Sequence, residues 1–377
     1  MSTTKVYLDN AATTPLAPEV AEAMIPVLKQ HFGNPSSTHA FGREVRGIVE
    51  TSRRKIAQLL NVTPGEIIFT SGGTEADNMA LRCSVEDLGV RHIITSSIEH
   101  HAVLHTAQVV CKEQIRLNLV KLDEKGHVDL AHLEELLQTE EKTLVSLMHA
   151  NNEVGTLLPL EKVGNLCKQY GAYFHSDTVQ TMAHYHFDLA NLPVDFVTCS
   201  AHKFHGPKGI GFLYLNKNIQ LKPFIHGGSQ ERNRRGGTEN VYGIVGLAKA
   251  LELALTDVEE HQKHVQDLKS YMIDELEKAI PGVEFNGDAK GNSLYTVLNV
   301  SFPKHPKSSM LLFQLDLFGI AVSGGSACSS GSNQGSHVLM GLNRDMERPS
   351  VRFSFSRYNT KAEVDYAVEK LKQLFLN

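Results

Sequence analysis

Two charged residues, Asp177 and Lys203, each follow a segment that the sequence predicts to be a buried strand. The carboxyl ends of parallel strands meet at one edge of a sheet, so the two side chains should lie close together. A buried carboxylate needs a cationic partner, and a lysine in a partly buried pocket loses proton affinity and becomes a nucleophilic amine. The pair suits a ligand that has a protonated ring nitrogen and an aldehyde, although Asp177 alone could equally be a helix N-cap.

An anion site is indicated where the predicted strand 66–70 leads into a helix that begins at Thr74. The preceding glycines, Gly72 and Gly73, let the backbone approach an anion, and the first turn of the helix has free N–H groups. Ser200 and His202 follow another strand and could add hydrogen bonds to a phosphate. The segment lacks the lysine of a nucleotide-binding P-loop, so a nucleoside triphosphate is not expected. An ordinary helix start is the alternative.

A histidine pair, His100 and His101, follows the predicted strand 91–96. An imidazole can lie flat on a planar ring and transfer protons at its edge, and His100 suits this role better because His101 is typical of a helix start. Pyridoxal phosphate would use all of these groups. Its aldehyde would bind Lys203 covalently, and its protonated ring nitrogen would pair with Asp177. The glycine turn would bind its phosphate, and His100 would lie on the face of its ring.

One of the five cysteines, Cys328, lies in the segment SGGSACSSGSNQGS at residues 323–336. Glycine and serine bury little apolar surface, so we expect an exposed, flexible loop whose thiol can ionise and react. Such a nucleophile could collect a sulfur atom inside a pocket and deliver it outside. The alternative is a glycine-rich turn with an incidental cysteine. The other four are expected to be small buried hydrophobic residues: Cys83, Cys111, Cys167 and Cys199.

Helical and strand patterns alternate through the first two-thirds of the chain, which predicts an α/β fold with a mostly parallel sheet and helices on both faces. After about Val241 a long helical stretch runs to about Ala279, and a mixture of strands and helices follows. We therefore expect a large domain over residues 14–250. Residues 1–13 together with 251–377 should form a smaller α+β domain.

The composition argues against several classes of protein. Of 377 residues, 41% are hydrophobic and 21% charged, and the net charge of −5 comes without a basic cluster, so neither nucleic acid nor a membrane is an expected partner. The sequence contains no stretch of about 18 apolar residues, so no membrane span is predicted. Residues 1–10 lack a secretion-signal pattern, and a cytoplasmic location is therefore expected. The histidines do not have a metal-ligand spacing, so no metal is expected.

Ten segments, in order along nearly the whole chain, resemble the group I cysteine desulfurases of the NifS/IscS type, which are fold-type-I pyridoxal-phosphate enzymes. The segments are YLDNAATTP at 7–15, GNPSSTHAFGR at 33–43, FTSGGTEADNMA at 69–80, EHHAV at 99–103, MHANNEVGT at 148–156, HSDTVQ at 175–180, SAHKFHGPKGIG at 200–211, GGSQERNRRGGTEN at 227–240, SGGSACSSG at 323–331 and VRFSFSRYNT at 351–360. The resemblance implies a seven-stranded sheet in the large domain. It also implies conversion of L-cysteine to L-alanine with transfer of the sulfur to Cys328 as a persulfide.

The resemblance further implies roles for individual residues. Lys203 would hold the cofactor covalently and take the substrate α-proton, His100 would stack on the ring and shuttle protons, and Cys328 would attack the substrate sulfur. Arg352, assisted by Asn34, would clamp the substrate carboxylate. The cofactor-binding residues implied are Gly73, Thr74, His100, Asn152, Asp177, Gln180, Ser200, His202 and Lys203, with Thr238 reaching the phosphate of the other subunit.

The partners implied are L-cysteine, a second copy of the chain in a homodimer and a sulfur-acceptor protein such as an iron–sulfur cluster scaffold. Two features depart from the family pattern. Arg234 and Gly236 stand where an apolar residue and often a serine are expected, and the chain ends shortly after its last predicted helix, where some relatives have a scaffold-docking segment. Another pyridoxal-phosphate enzyme such as an aminotransferase or selenocysteine lyase, a cysteine hydrolase that uses Cys328, and a non-catalytic sulfur-relay protein remain alternatives.

Overall fold

A computed structural model describes residues 5–112, 114–305, 310–324 and 335–376, so the predicted nucleophile Cys328 lies outside the described residues. Twelve strands occur within these ranges. They are Val6–Tyr7 (β1), Ile67–Thr70 (β2), His92–Thr95 (β3), Arg116–Leu119 (β4), Thr143–Ser146 (β5), Tyr173–Asp177 (β6), Phe196–Ser200 (β7), Gly211–Leu215 (β8), Glu284–Asn286 (β9), Val297–Ser301 (β10), Ile320–Ala321 (β11) and Ser350–Ser354 (β12).

Seven strands form one large sheet in the order β2-β8-β7-β6-β5-β3-β4. The strands from β7 to β4 in this order are parallel neighbours, whereas β8 runs antiparallel to both β7 and β2. The prediction of a mostly parallel sheet is therefore confirmed. Because β2, β6 and β7 run in the same direction, their carboxyl ends lie at one edge of the sheet, where such folds bind ligands.

Alternate residues of these strands belong to different hydrophobic cores, as the two-residue period of a strand requires. In β2, Phe69 belongs to one buried cluster and Ile68 to another, and Ile94 and Ile93 of β3 are divided in the same way. Helices cover both faces, as expected for parallel strands that are buried on both sides. In chain order the helices are Pro18–Gln30 (α1), Ala40–Leu59 (α2), Gly73–Glu86 (α3), His101–Val110 (α4), Leu130–Leu137 (α5), Leu160–Gln169 (α6), Gln230–Asn233 (α7), Val241–Thr256 (α8), Val258–Ala279 (α9), Leu311–Leu317 (α10), His337–Gly341 (α11) and Lys361–Leu376 (α12).

The predicted long helical stretch from Val241 is two helices, because the backbone at Asp257 leaves the helical region with φ −129° and ψ 44°. Leu255, before this break, packs in a core of the large sheet, whereas Val265, after it, packs in a separate cluster. This separate cluster contains the antiparallel sheet β12-β10-β9 and the parallel pair β1-β11. Separate cores favour the predicted division into residues 14–250 and residues 1–13 with 251–377, which stays a prediction.

No helix within the described ranges is long and apolar enough to cross a membrane.

Candidate active site

Ten of the residues predicted for the site line one cavity of about 190 Å³ at the carboxyl edge of the large sheet. Asp177 is the last residue of β6 and Ser200 the last of β7, while Gly73 is the first of α3. Distant parts of the chain therefore meet because their strands end at one edge. The ten residues are Gly73, Thr74, His100, Asn152, Asp177, Gln180, Ser200, His202, Lys203 and Arg352.

Lys203 ends a single 3₁₀ turn, Ala201–Lys203, that follows β7 directly. Its Nζ donates hydrogen bonds to the carbonyl oxygens of Ala11 and Ala12, at 2.6 and 2.9 Å. Gln180 Nε2 also donates to the Ala11 carbonyl, at 3.0 Å. The amine is thus held at the cavity wall by backbone of the N-terminal segment, a contact that the sequence pattern did not predict.

Two buried carboxyl groups, Asp77 and Asp177, face the same cavity. The pKa of each is raised to about 7, mainly by burial, and the charge of Asp77 contributes to the raised pKa of Asp177. His175 Nε2 lies 3.4 Å from Asp77 Oδ1, and burial lowers the pKa of His175 to about 4, so the imidazole is neutral near pH 7. Since a neutral imidazole does not balance two carboxylates, this part of the cavity favours a ligand with positive charge.

His100 caps α4, and its Nδ1 accepts a hydrogen bond from the backbone N–H of Ala102 at 3.2 Å. The ring proton of the neutral form therefore sits on Nε2. The pKa of His100 is lowered to about 4, mainly by burial and also by the charge of Lys203. The side chain is consequently neutral near pH 7, and its Nε2–H is a hydrogen-bond donor.

Backbone geometry at the start of α3 suits an anion. Gly72 has φ +153°, which favours glycine, and a Cβ at Gly73 would lie 2.7 Å from Cγ2 of Val179. Gly73 and Thr74, in the first turn of α3, line the cavity together with Ser200, so backbone N–H groups and two hydroxyl-bearing side chains are available there. These residues form the donor set that the sequence predicted for a phosphate.

Arg352 lies on β12 with 1% of its side chain exposed, and its Nη2 donates to Asp9 Oδ1 at 2.9 Å. Its Nη1 donates to the Asn152 carbonyl oxygen at 2.8 Å. Within the described part of the chain, Arg352 Nε and Asn152 Oδ1 are buried without a hydrogen-bond partner. A buried donor and a buried acceptor of this kind are costly unless a ligand satisfies them.

These features fit pyridoxal phosphate. The cavity has an amine for its aldehyde (Lys203), carboxyl groups for a protonated ring nitrogen and N–H and hydroxyl donors for a phosphate. Atoms of Asp77, His100 and Asp177 that could bind a metal ion lie within 4.8 Å of one another. The expectation that the protein has no metal stays a prediction.

Two predicted residues, Asn34 and Thr238, lie away from this cavity. Asn34 is exposed, and its Oδ1 accepts from the backbone N–H of Ser36 at 2.9 Å. Thr238 lines a different cavity of about 100 Å³, together with Arg235. Cys328 is outside the described residues. The roles of all three stay predictions.

The unexpected residues of the segment 227–240 have partners. Arg234 Nη1 donates to the Gly65 carbonyl oxygen at 2.9 Å, and the neighbouring Arg235 forms an ion pair with Glu75 at 2.9 Å. A Cβ at Gly236 would lie 2.9 Å from the carbonyl oxygen of Ile225, so the close approach of two backbones accounts for the glycine. The departures at Arg234 and Gly236 are thus compatible with an ordered segment.

The sequence reasoning missed Asp77. It lies three residues after Thr74 on α3, so the two side chains share one face of the helix and point to the same cavity. This spacing was available in the sequence. What was not available was the burial of Asp77, since an aspartate in the first turns of a helix is usually a solvated residue that favours the helix dipole.

Each cysteine within the described residues has a raised pKa because of burial. The pKa is about 12 for Cys83 and about 11 for Cys111, and burial also raises that of Cys167 and Cys199. Thiolates, not thiols, are the reactive form, so these four are poor nucleophiles at pH 7. Three are buried, as predicted, whereas Cys111 is only half-buried.

Comparison with known proteins gives a consistent result. Residues 6–367 match the model of the family "Aminotransferase class-V". A cysteine desulfurase IscS of Dictyoglomus turgidum is 46% identical over 374 residues, which are 98% of this chain and 94% of that protein. A solved structure of a NifS-like protein has a TM-score of 0.91 and 40% identity, with 98% and 99% of the two chains covered. Another, of SspA in complex with cysteine, has a TM-score of 0.82 and 31% identity, with 95% and 100% covered.

Proposed function

The chain belongs to the class-V aminotransferase family, and from this membership we propose that it is a pyridoxal-phosphate-dependent cysteine desulfurase. It converts L-cysteine to L-alanine and transfers the sulfur to Cys328 as a persulfide. The observation that carries the proposal is the single cavity lined by Lys203, Asp177 and His100 together with phosphate-binding donors. The identity of the named relatives, over nearly the full chain, selects cysteine as the substrate within the family.

Each group of the cavity has a role in this reaction. Bound there, pyridoxal phosphate supplies an aldehyde for an amine and a ring that accepts electrons. Asp77 and Asp177 provide the negative environment that would favour a protonated ring nitrogen. Lys203 would hold the aldehyde covalently, and its Nζ would take the α-proton of the bound substrate. His100 is neutral near pH 7. For its Nε2 to accept a proton at the ring edge, the ring proton must first shift to Nδ1, which ends the hydrogen bond from Ala102.

Cys328 completes the sulfur transfer. Its thiolate attacks the substrate sulfur, the carbon–sulfur bond breaks, and the electron pair of that bond stays with the carbon, which takes up a proton to become the methyl group of alanine. The sulfur atom remains on Cys328 as a persulfide, so no external oxidant or reductant is needed. The raised pKa values of the four described cysteines support the assignment of this step to Cys328.

The substrate carboxylate is the proposed ligand of Arg352. This guanidinium lines the cavity, and its buried Nε lacks a hydrogen-bond partner among the described residues. A carboxylate can accept from two N–H groups of a guanidinium at once, which fixes the orientation of the amino acid. Asn34 is proposed to assist, although within this chain it is exposed and lies outside the cavity.

A homodimer and an acceptor protein are further proposals. Thr238 lies outside the cavity of its own chain, so a role at a phosphate requires the cavity of a second copy. Phe32 and Phe41 are 81% and 55% exposed with ring centroids 5.2 Å apart, an apolar surface that a second copy could cover. An iron–sulfur cluster scaffold is the proposed acceptor of the Cys328 sulfur, on the basis of the resemblance.

One experiment tests the function directly. The purified protein, loaded with pyridoxal phosphate, is incubated with L-cysteine, alanine is measured, and the Cys328 peptide is examined by mass spectrometry before reduction. We expect alanine and an added mass of about 32 Da, one sulfur atom, on this peptide. The peptide with the half-buried Cys111 is the internal control. Formation of a keto acid without an adduct on Cys328 would instead indicate an aminotransferase.

A further inference from the structure

Asp9 was not predicted as a site residue, yet it forms the ion pair with Arg352. Asp9 Oδ1 accepts from Arg352 Nη2 at 2.9 Å, with 17% of the Asp9 side chain and 1% of the Arg352 side chain exposed. Few side chains as large as Arg352 are buried to this degree in the described residues. A buried guanidinium requires a compensating anion, and Asp9 is its partner here.

Two contacts fix the plane of the Arg352 guanidinium. Asp9 Oδ1 accepts from Nη2, and the Asn152 carbonyl oxygen accepts from Nη1 at 2.8 Å. Nε remains without a partner in the part of the chain that the structure describes. The group is therefore held by two of its nitrogens and has unused N–H donors on a side chain that lines the cavity.

Asp9 is itself held in place. The same Oδ1 accepts from Ser323 Oγ at 2.8 Å, and the backbones of Ser323 and Arg352 exchange hydrogen bonds of 3.3 and 2.7 Å. The segment around Asp9 is attached through Leu8, whose N–H donates to the Ala321 carbonyl oxygen at 2.9 Å. Because these hydrogen bonds fix the position of Asp9, its carboxylate can hold the Arg352 guanidinium in one orientation.

We propose that Asp9 is a positioning residue, which holds the Arg352 guanidinium in the orientation that receives the substrate carboxylate. This inference rests on the proposed function, in which Arg352 binds the carboxylate of L-cysteine. An arginine side chain has several rotatable bonds, and ordering them when the substrate binds loses conformational entropy and weakens binding. This loss is avoided when the protein already holds the side chain in the binding orientation. Asp9 acts through Arg352 and does not itself touch the substrate.

The test measures kcat and KM for alanine release from L-cysteine by the holoenzyme. Asp9→Ala should raise KM by about tenfold or more, as for loss of one partner of a buried charge pair, while kcat changes less than about threefold. Asp9→Asn retains an acceptor oxygen for Nη2, so its KM should lie between those of the wild type and Asp9→Ala, about threefold above the wild type. Ser323→Ala removes one support of the same oxygen but keeps the Asp9 carboxylate, so its KM should rise by about twofold to threefold, less than that of Asp9→Ala.

A double-mutant cycle separates positioning from a general structural role. If Asp9 acts only through Arg352, the variant Asp9→Ala/Arg352→Ala has the KM of Arg352→Ala alone. Independent effects that multiply in the double variant would overturn the proposal, as would a KM for Asp9→Ala at or below that of the wild type. If Asp9→Ala does not fold, the proposal is tested by Asp9→Asn, whose KM should be about threefold above that of the wild type. An unchanged KM for this variant would overturn the proposal.

Different results would contradict the proposed function and the proposed role of Asp9. A wild-type holoenzyme that releases no alanine from L-cysteine contradicts the proposed function and removes the basis for the role of Asp9. An active wild type whose KM is unaffected by Asp9→Ala contradicts the role of Asp9 alone.

Discussion

Asp77 and Asp177 bring two buried carboxyl groups from helix α3 and strand β6 to one cavity, and burial raises the pKa of each to about 7. At either position, an ionised carboxylate costs folding free energy unless a cation lies nearby. The pair is thus a feature that costs stability in the cofactor-free protein and becomes favourable when a protonated ring nitrogen is bound.

The first prediction concerns the stability of the cofactor-free protein. Above about pH 4 the Asp77 carboxyl ionises in the unfolded chain but stays protonated in the folded protein until the pH reaches about 7. The resulting loss of folding stability is therefore absent below about pH 4 and grows as pH rises toward about 7. Asp77→Asn removes this cost. From pH 5 to pH 8 the stability of the variant relative to the wild type should therefore rise, by roughly 1–3 kcal/mol.

Urea unfolding at each pH measures this difference. Asp274 is exposed on α9, so Asp274→Asn is the matched control and should give no pH trend. A difference that is independent of pH for Asp77→Asn would contradict the raised pKa.

The second prediction concerns Lys203. Lys203→Ala should abolish alanine release and the absorbance of the covalently held cofactor at about 390–420 nm, because the amine is both the attachment point and the base. Borohydride reduction of the wild type should leave the cofactor mass on the peptide of Lys203. Lys208, exposed five residues further on, provides the control Lys208→Ala, which should keep both signals. Cofactor attached to another lysine would refute the assignment.

The third prediction concerns His100. Because its pKa is about 4, its neutral form is present throughout pH 6–8 and is lost only as pH falls toward 4. His100→Gln should lower kcat by about 10²- to 10⁴-fold, as expected for removal of a general acid or base, with a small change in KM. His101→Gln, at the adjacent position, should have a much weaker effect. Equal losses in the two variants would argue for a structural role of the pair.

The fourth prediction concerns the nucleophile. Cys328→Ser should retain the cofactor and its absorbance but lose the persulfide and catalytic release of alanine, since the substrate sulfur no longer has an acceptor thiolate. Cys111→Ser should behave as the wild type, because burial raises the pKa of Cys111 to about 11. Turnover at the wild-type rate by Cys328→Ser would exclude Cys328 as the nucleophile.

The sequence by itself determined the α/β class and most of the residues that line the cavity proposed for the cofactor. Asp177, Ser200 and Lys203 could be recognised because each follows a strongly apolar strand, and parallel strands bring their ends to one edge whatever the details of packing. Gly72 and Gly73 could be recognised because glycine is required where a backbone turns sharply beside an anion. These signals are local in the chain.

Only the tertiary structure decided the contacts between residues far apart in sequence. The Asp9–Arg352 pair joins residues 343 positions apart, and its formation depends on the N-terminal segment lying beside the small sheet. The burial of Asp77 and the attachment of Lys203 to the backbone of Ala11 and Ala12 depend likewise on how α3 and the N-terminal segment pack around the cavity. Burial and pairing are properties of packed surfaces, so the pKa of a carboxyl or the orientation of a guanidinium cannot be derived from local sequence alone.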